Sequence, residues 1–121
     1  MITEQLLLNH GNAKKIEEIQ SLKLANLNLT SKDLSKAKEL FEELTSLDEL
    51  DLSGNNIHNM PSIPLHECRV LDLSYNNLQD IDFLEDAWTI EEIDLRNGLS
   101  FLHCRVQWLP PVIIMSIIKL G

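Results

Sequence analysis

The stretch Leu47-Asp-Glu-Leu50-Asp-Leu52-Ser-Gly-Asn55-Asn-Ile57 returns as Cys68-Arg-Val-Leu71-Asp-Leu73-Ser-Tyr-Asn76-Asn-Leu78. Both copies place apolar residues at the first, fourth, sixth and last positions of one frame, with an asparagine two before the end. Around the fourth and sixth positions apolar and polar side chains alternate, the period of a strand with one buried face. A pattern repeating at fixed spacing marks an architecture in which each unit covers the apolar face of its neighbour.

Two weaker copies flank this pair, one carrying Ile19, Leu22, Leu24 and Leu29, the other Ile90, Ile93 and Leu95. The four starts, Ile19, Leu47, Cys68 and Ile90, are separated by 28, 21 and 22 residues. Strands are expected over residues 21–25, 49–53, 70–74 and 92–96, side by side in a parallel sheet. Strand parity turns Leu50 and Leu52 inward and Glu49, Asp51 and Ser53 outward, and the same parity exposes Asp72 and Asp94. Asn55 and Asn76 are expected to satisfy backbone groups at the turns, a structural role. The first unit carries Leu27 where the frame wants asparagine, so its turn is expected to be built differently.

The longer first interval contains Leu34, Ala37, Leu40, Phe41 and Leu44 at helical spacing, which predicts an amphipathic helix over residues 30–44 capped by Thr30 or Ser31. The shorter later intervals, with Pro61 and Pro64 and then Ile81, Phe83 and Leu84, predict loops or tight helical turns. Residues 1–15 fall outside the pattern and are expected to form a helical cap over the first unit. Residues 16–100 form the repeats. In the fourth unit asparagine arrives one position early, as Asn97, and Gly98 stands at the asparagine position. Residues 101–121, few in charges and without periodicity, are expected to cap the stack or to be an apolar tail used for association; the change of pattern also fits a longer array truncated or spliced here. Their apolar run over residues 112–118 is far too short to span a bilayer.

Ten Lys and Arg against nineteen Asp and Glu give a formal charge of −9, which disfavours nucleic acid and anionic membranes and favours a basic protein partner. Acidity that serves solubility alone is the competing explanation. Two cysteines, and an N-terminus with an acidic residue and an apolar run of only three leucines, point to a reducing compartment without an export signal: the cytoplasm, or the nucleus. The sequon Asn28-Leu29-Thr30 is then accidental. His66-Glu67-Cys68 and His103-Cys104 hold ligand types without a second pair at zinc spacing, so no metal is expected. Asp51 with Asp72 resembles an acid–base pair, but an open sheet face gives no closed pocket, and no nucleophile elbow or phosphate-cradling loop is present. No enzymatic activity and no cofactor are expected.

The two full copies resemble the intracellular leucine-rich repeat family, and the short spacings are similar to its phosphatase-regulator class. The resemblance covers roughly residues 16–98. It implies an α/β fold: a leucine-rich repeat solenoid, a short curved right-handed stack of about four repeats with the parallel sheet on the concave face. It also implies a protein-binding role on that face, without a cofactor. Carried over by position, the contact residues are Lys23, Glu49, Asp51, Arg69, Asp72, Tyr75, Glu92, Asp94 and Arg96. From the residues themselves, Lys23, Asp51, Asp72 and Asp94 line successive strands, with Glu49, Glu91 and Glu92 nearby and Tyr75, Trp88 and Arg69 as candidate anchors. The chain is therefore expected to be a non-enzymatic adaptor or regulatory subunit that takes a basic protein or peptide on an acidic face; the alternative is a structural subunit that docks through its apolar C-terminal segment.

Overall fold

In a computed structural model, residues 1–65, 67–86 and 89–100 are described. The chain runs through α1 (Glu4–His10), a 3-10 turn (Ile16–Glu18), β1 (Ser21–Lys23), α2 (Ser31–Lys36), α3 (Lys38–Glu42), β2 (Glu49–Asp51), β3 (Val70–Asp72), a second 3-10 turn (Asp82–Asp86) and β4 (Glu92–Asp94). The strands form one parallel sheet in the order β1-β2-β3-β4. Its register aligns Leu22, Leu50, Leu71 and Ile93, and beside them Lys23, Asp51, Asp72 and Asp94. This is the α/β arrangement expected from the sequence.

The frame's apolar positions all enter one core. Leu22, Leu50, Leu71 and Ile93 are buried, as are Leu24, Leu52, Leu73 and Leu95, and Leu34 and Phe41 from the helices join the same cluster. Each such side chain stabilises the fold by about 1.5–3 kcal/mol, so the columns together outweigh any polar contact on the surface.

Asparagine ties consecutive units together. Asn55 donates from Nδ2 to the carbonyls of Leu24 (2.9 Å) and Leu52 (2.9 Å) and accepts at Oδ1 from the N–H of Leu27 (3.0 Å) and Leu29 (2.9 Å). Asn76 repeats this one unit on, donating to Leu52 (2.9 Å) and Leu73 (3.1 Å) and accepting from the N–H of Ile57 (3.1 Å). Because each asparagine reaches back to the unit before it, the first repeat has no earlier repeat to serve, and Leu27 is tolerated there. The Leu27 turn differs in having a second residue at positive φ, Asn28 (55°), after Asn26 (57°).

The fourth unit accommodates its early asparagine by a slip after the strand. β3 pairs with β4 at an offset of 22 residues, as Val70 with Glu92, whereas the bridge beyond joins Leu78 to Leu99, an offset of 21. Leu99 thereby reaches the core edge. At Gly98 a Cβ would collide with the Leu73 carbonyl, so this position needs glycine.

Two kinds of boundary differ from expectation. The strands begin where predicted but end two residues early, at Lys23, Asp51, Asp72 and Asp94. The helix over residues 30–44 divides into α2 and α3 at Ala37, whose φ and ψ of −94° and 11° leave the helical region. Its cap is Thr30, paired with Asp33 in a reciprocal capping box. That contact holds the Asp33 carboxyl below its usual range, chiefly through the Thr30 N–H. At the other end of the stack, Thr3 caps α1, whose Leu7 is buried against the first repeat's core.

Candidate functional site

Strand parity leaves one face of the sheet polar. Its rows read Ser21, Glu49, Val70, Glu92 and then Lys23, Asp51, Asp72, Asp94, each in register. Lys23, Glu49 and Glu92 are exposed, whereas Asp51, Asp72 and Asp94 are half-buried. The structure therefore brings together most of the residues singled out from the sequence.

The aspartates also have a local task. Asp51 Oδ1 accepts from the N–H (2.9 Å) and the hydroxyl (2.6 Å) of Ser53, and Asp72 Oδ1 accepts from the same groups of Ser74 at the same distances. Asp94 Oδ1 accepts from the Arg96 N–H at 3.1 Å. The carboxylate captures the N–H two residues on, a local bond at the ends of β2, β3 and β4; β1 ends at the same point of the frame on Lys23, without one. Asp51, Asp72 and Asp94 thus brace the chain just past the strand as well as carrying surface charge. The repeated Asp-Leu-Ser could have revealed this from the sequence.

The two arginines are engaged within the chain. Arg69 forks onto Asp48 (2.5 and 2.8 Å) and reaches Glu91 at 3.2 Å, linking three units. Its hydrogen bonds with Asp48 hold that carboxyl below its usual range and raise the guanidinium further. Arg96 pairs with Asp94 at 2.6 Å, which raises its own pKa; Asp72 and Tyr75 lie near enough to act on it as well. Among the described residues no ion pair is seen for Glu49, Asp51 or Asp72, and even with Lys23 in register beside Asp51 the middle of the face keeps an excess of negative charge. Asp48 was not among the residues chosen from the sequence. It occupies the second position of its unit, as Arg69 and Glu91 do in theirs.

Charge is also unevenly distributed along the chain. Six of the ten cationic side chains lie within residues 1–38, whereas fifteen of the nineteen acidic ones lie within residues 39–100. The sequence alone held this signal.

Cys68 is fully buried at the first position of its unit, and burial pushes its thiol up to about 11. A metal ligand must be a thiolate, which this site disfavours. Among the described residues no group of three His, Cys, Asp or Glu is arranged to hold a metal ion, and no helix is long and apolar enough to cross a membrane. His66, Trp88, and residues 101–121 with His103, Cys104 and Trp108, lie outside the described residues, and with them the expected C-terminal cap or docking segment.

Residues 4–111 match the family model described as the leucine-rich repeat part of leucine-rich repeat and WD repeat-containing protein 1. The chain is 38% identical over 117 residues to the mouse protein of that name, covering 91% of this chain and 18% of the relative. It is 35% identical over 101 residues to the zebrafish protein, covering 81% and 13%. Protein flightless-1 homolog of Caenorhabditis elegans is 26% identical over 83 residues, covering 67% and 7%. The chain spans less than a fifth of the length of these relatives. No solved structure matches it. With its repeated frame, its parallel sheet and these matches, the chain belongs to the leucine-rich repeat family of leucine-rich repeat and WD repeat-containing protein 1.

Proposed function

We propose that this chain is a non-enzymatic protein-interaction module whose polar sheet face takes a basic protein or peptide. The units stack as a short right-handed solenoid with that face on its concave side. Residues 1–15 serve as a cap, residues 16–100 as the repeats, and residues 101–121 as the closing segment. The module works without a cofactor in the cytoplasm or nucleus.

The observation that carries this reading is the group Glu49, Asp51 and Asp72 on adjacent, in-register strands. Neighbouring strands lie about 4.8 Å apart, a distance at which two like charges in water cost roughly 1 kcal/mol. A Lys or Arg placed between them relieves that cost. The paired arginines confine the attraction to the middle of the face, and the acidic excess of residues 39–100 extends the field that steers a cationic partner. The catalytic alternative lacks support, since an open face offers no enclosed environment to separate an acid from a base.

The test is the affinity of a Lys- and Arg-containing peptide measured at rising salt. Between about 0.1 M and about 1 M the screening length falls from about 10 Å to about 3 Å, and binding is expected to weaken several-fold. The triple variant Glu49→Gln, Asp51→Asn, Asp72→Asn is expected to bind weakly at every salt concentration. Salt-independent binding that survives in the variant would rule the reading out.

A further inference from the structure

All four units turn through a left-handed residue at the same point of the frame: Asn26, Gly54, Tyr75 and Asn97, with φ of 57°, 67°, 55° and 55°. In the first three units the residue's own N–H group bonds to the next unit. Asn26 donates to the carbonyl of Ser53, Gly54 to that of Ser74, and Tyr75 to that of Arg96, each at 3.0 Å, so this residue carries the backbone ladder beyond the strand. Asparagine and glycine are the residues that tolerate left-handed backbone. Tyr75 is the exception.

Burial does not account for the exception. Tyr75 is 63% exposed and, with Met1, makes up the large apolar side chains exposed among the described residues. An aromatic ring held out to solvent on a disfavoured backbone is an outlier from which a function can be inferred. Its surroundings indicate the chemistry. Asp72 stands three residues earlier on the same chain, and both of its bonds to Ser74 fall on Oδ1, which leaves Oδ2 to accept from a partner. On the neighbouring unit the Arg96 carbonyl accepts from the Tyr75 N–H at 3.0 Å, its guanidinium is held by Asp94 at 2.6 Å, and Asp94 lies in register with Asp72.

We propose that Tyr75 is the anchor of the docking face and selects arginine over lysine in the basic partner. The ring supports the flat guanidinium while the Asp72 carboxylate takes its N–H groups. A lysine ammonium, compact and strongly hydrated, pairs with Asp72 alone and gains less from the ring. This inference rests on the basic-partner reading above and adds to it a residue type and an anchor.

The experiment compares two peptides of equal length and charge, one with arginines and one with lysines, against the full chain and its Tyr75→Asn and Tyr75→Phe variants. The arginine peptide is expected to bind the unaltered chain several-fold more tightly than the lysine peptide. Tyr75→Asn is expected to erase that preference while melting no lower, because Asn97 shows that the turn accepts asparagine. Tyr75→Phe is expected to keep it. If both peptides bind equally, or if Tyr75→Asn retains the preference, the anchor is refuted while salt-sensitive binding still upholds the acidic face. If neither peptide binds the unaltered chain, both proposals fall.

Discussion

Ser53 closes on Asp51 through two hydrogen bonds to one carboxylate oxygen, 2.9 Å from its N–H and 2.6 Å from its hydroxyl. One aspartate therefore both braces the chain just past its strand and supplies charge to the polar face. The two roles separate by substitution. Asparagine keeps an acceptor oxygen and removes the charge, so Asp51→Asn with Asp72→Asn is expected to shift stability by less than about 1 kcal/mol and to weaken a basic partner several-fold. Asp51→Ala with Asp72→Ala removes the acceptors too and is expected to cost about 1–3 kcal/mol, read by urea unfolding. Equal stability of the two pairs would show that the bonds to serine do not matter.

Asn55 is expected to be among the most sensitive polar residues. Asn55→Ala strips partners from the Leu24 and Leu52 carbonyls and from the Leu27 and Leu29 N–H groups. A buried, unpartnered backbone group costs about 1–3 kcal/mol, so a loss of roughly 3 kcal/mol or more in urea unfolding is expected. Leu27→Asn, placed where no earlier repeat needs a bridge, is expected to bring no comparable gain.

Gly98 is predicted to resist substitution although the preceding Asn97 is exposed. Gly98→Ala drives a methyl against the Leu73 carbonyl and is expected to destabilise by about 1–3 kcal/mol, the usual cost of overpacking. Asn97→Ala tests the separate cost of the left-handed turn. A Gly98→Ala variant that melts like the unaltered chain would mean that the slip in the fourth unit is not as described.

Cys68 links stability to alkaline pH. Its thiol is raised from 9.0 to about 11, so the folded state favours the protonated form. The resulting stabilisation is complete below the unfolded value and is lost as pH rises through the folded one. Two pKa units correspond to about 2.7 kcal/mol, so stability should fall by up to roughly that amount between about pH 9 and pH 11. In Cys68→Ala that part of the decline should vanish, whatever the variant's stability at neutral pH. Parallel pH profiles for the two chains would overturn the assignment.

The core and the sheet were legible because both follow from period and position. Alternation at Leu50 and Leu52 and at Leu71 and Leu73 located the strands and their buried side, and the repeat spacing located their neighbours. Strand ends were not legible from alternation, since the apolar pattern runs on through Leu24, Leu52, Leu73 and Leu95 past the last strand residues. Nor was the break at Ala37, which sits among good helix formers. On the polar face the sequence located the charges but not their pairing. Arg69 finds Asp48 and Glu91 at separations of 21 and 22 residues, visible only when units are superposed position by position. The unequal split of charge between residues 1–38 and 39–100 needed no coordinates at all.

Mapping a bound arginine peptide by amide NMR shifts would locate the docking face residue by residue. The expected footprint covers Glu49, Asp51, Asp72 and Tyr75 and spares Lys36 and Glu42 on α2 and α3. Shifts confined to those helices or to residues 101–121, with β2 and β3 unmoved, would place the partner elsewhere and refute the acidic sheet face as its site.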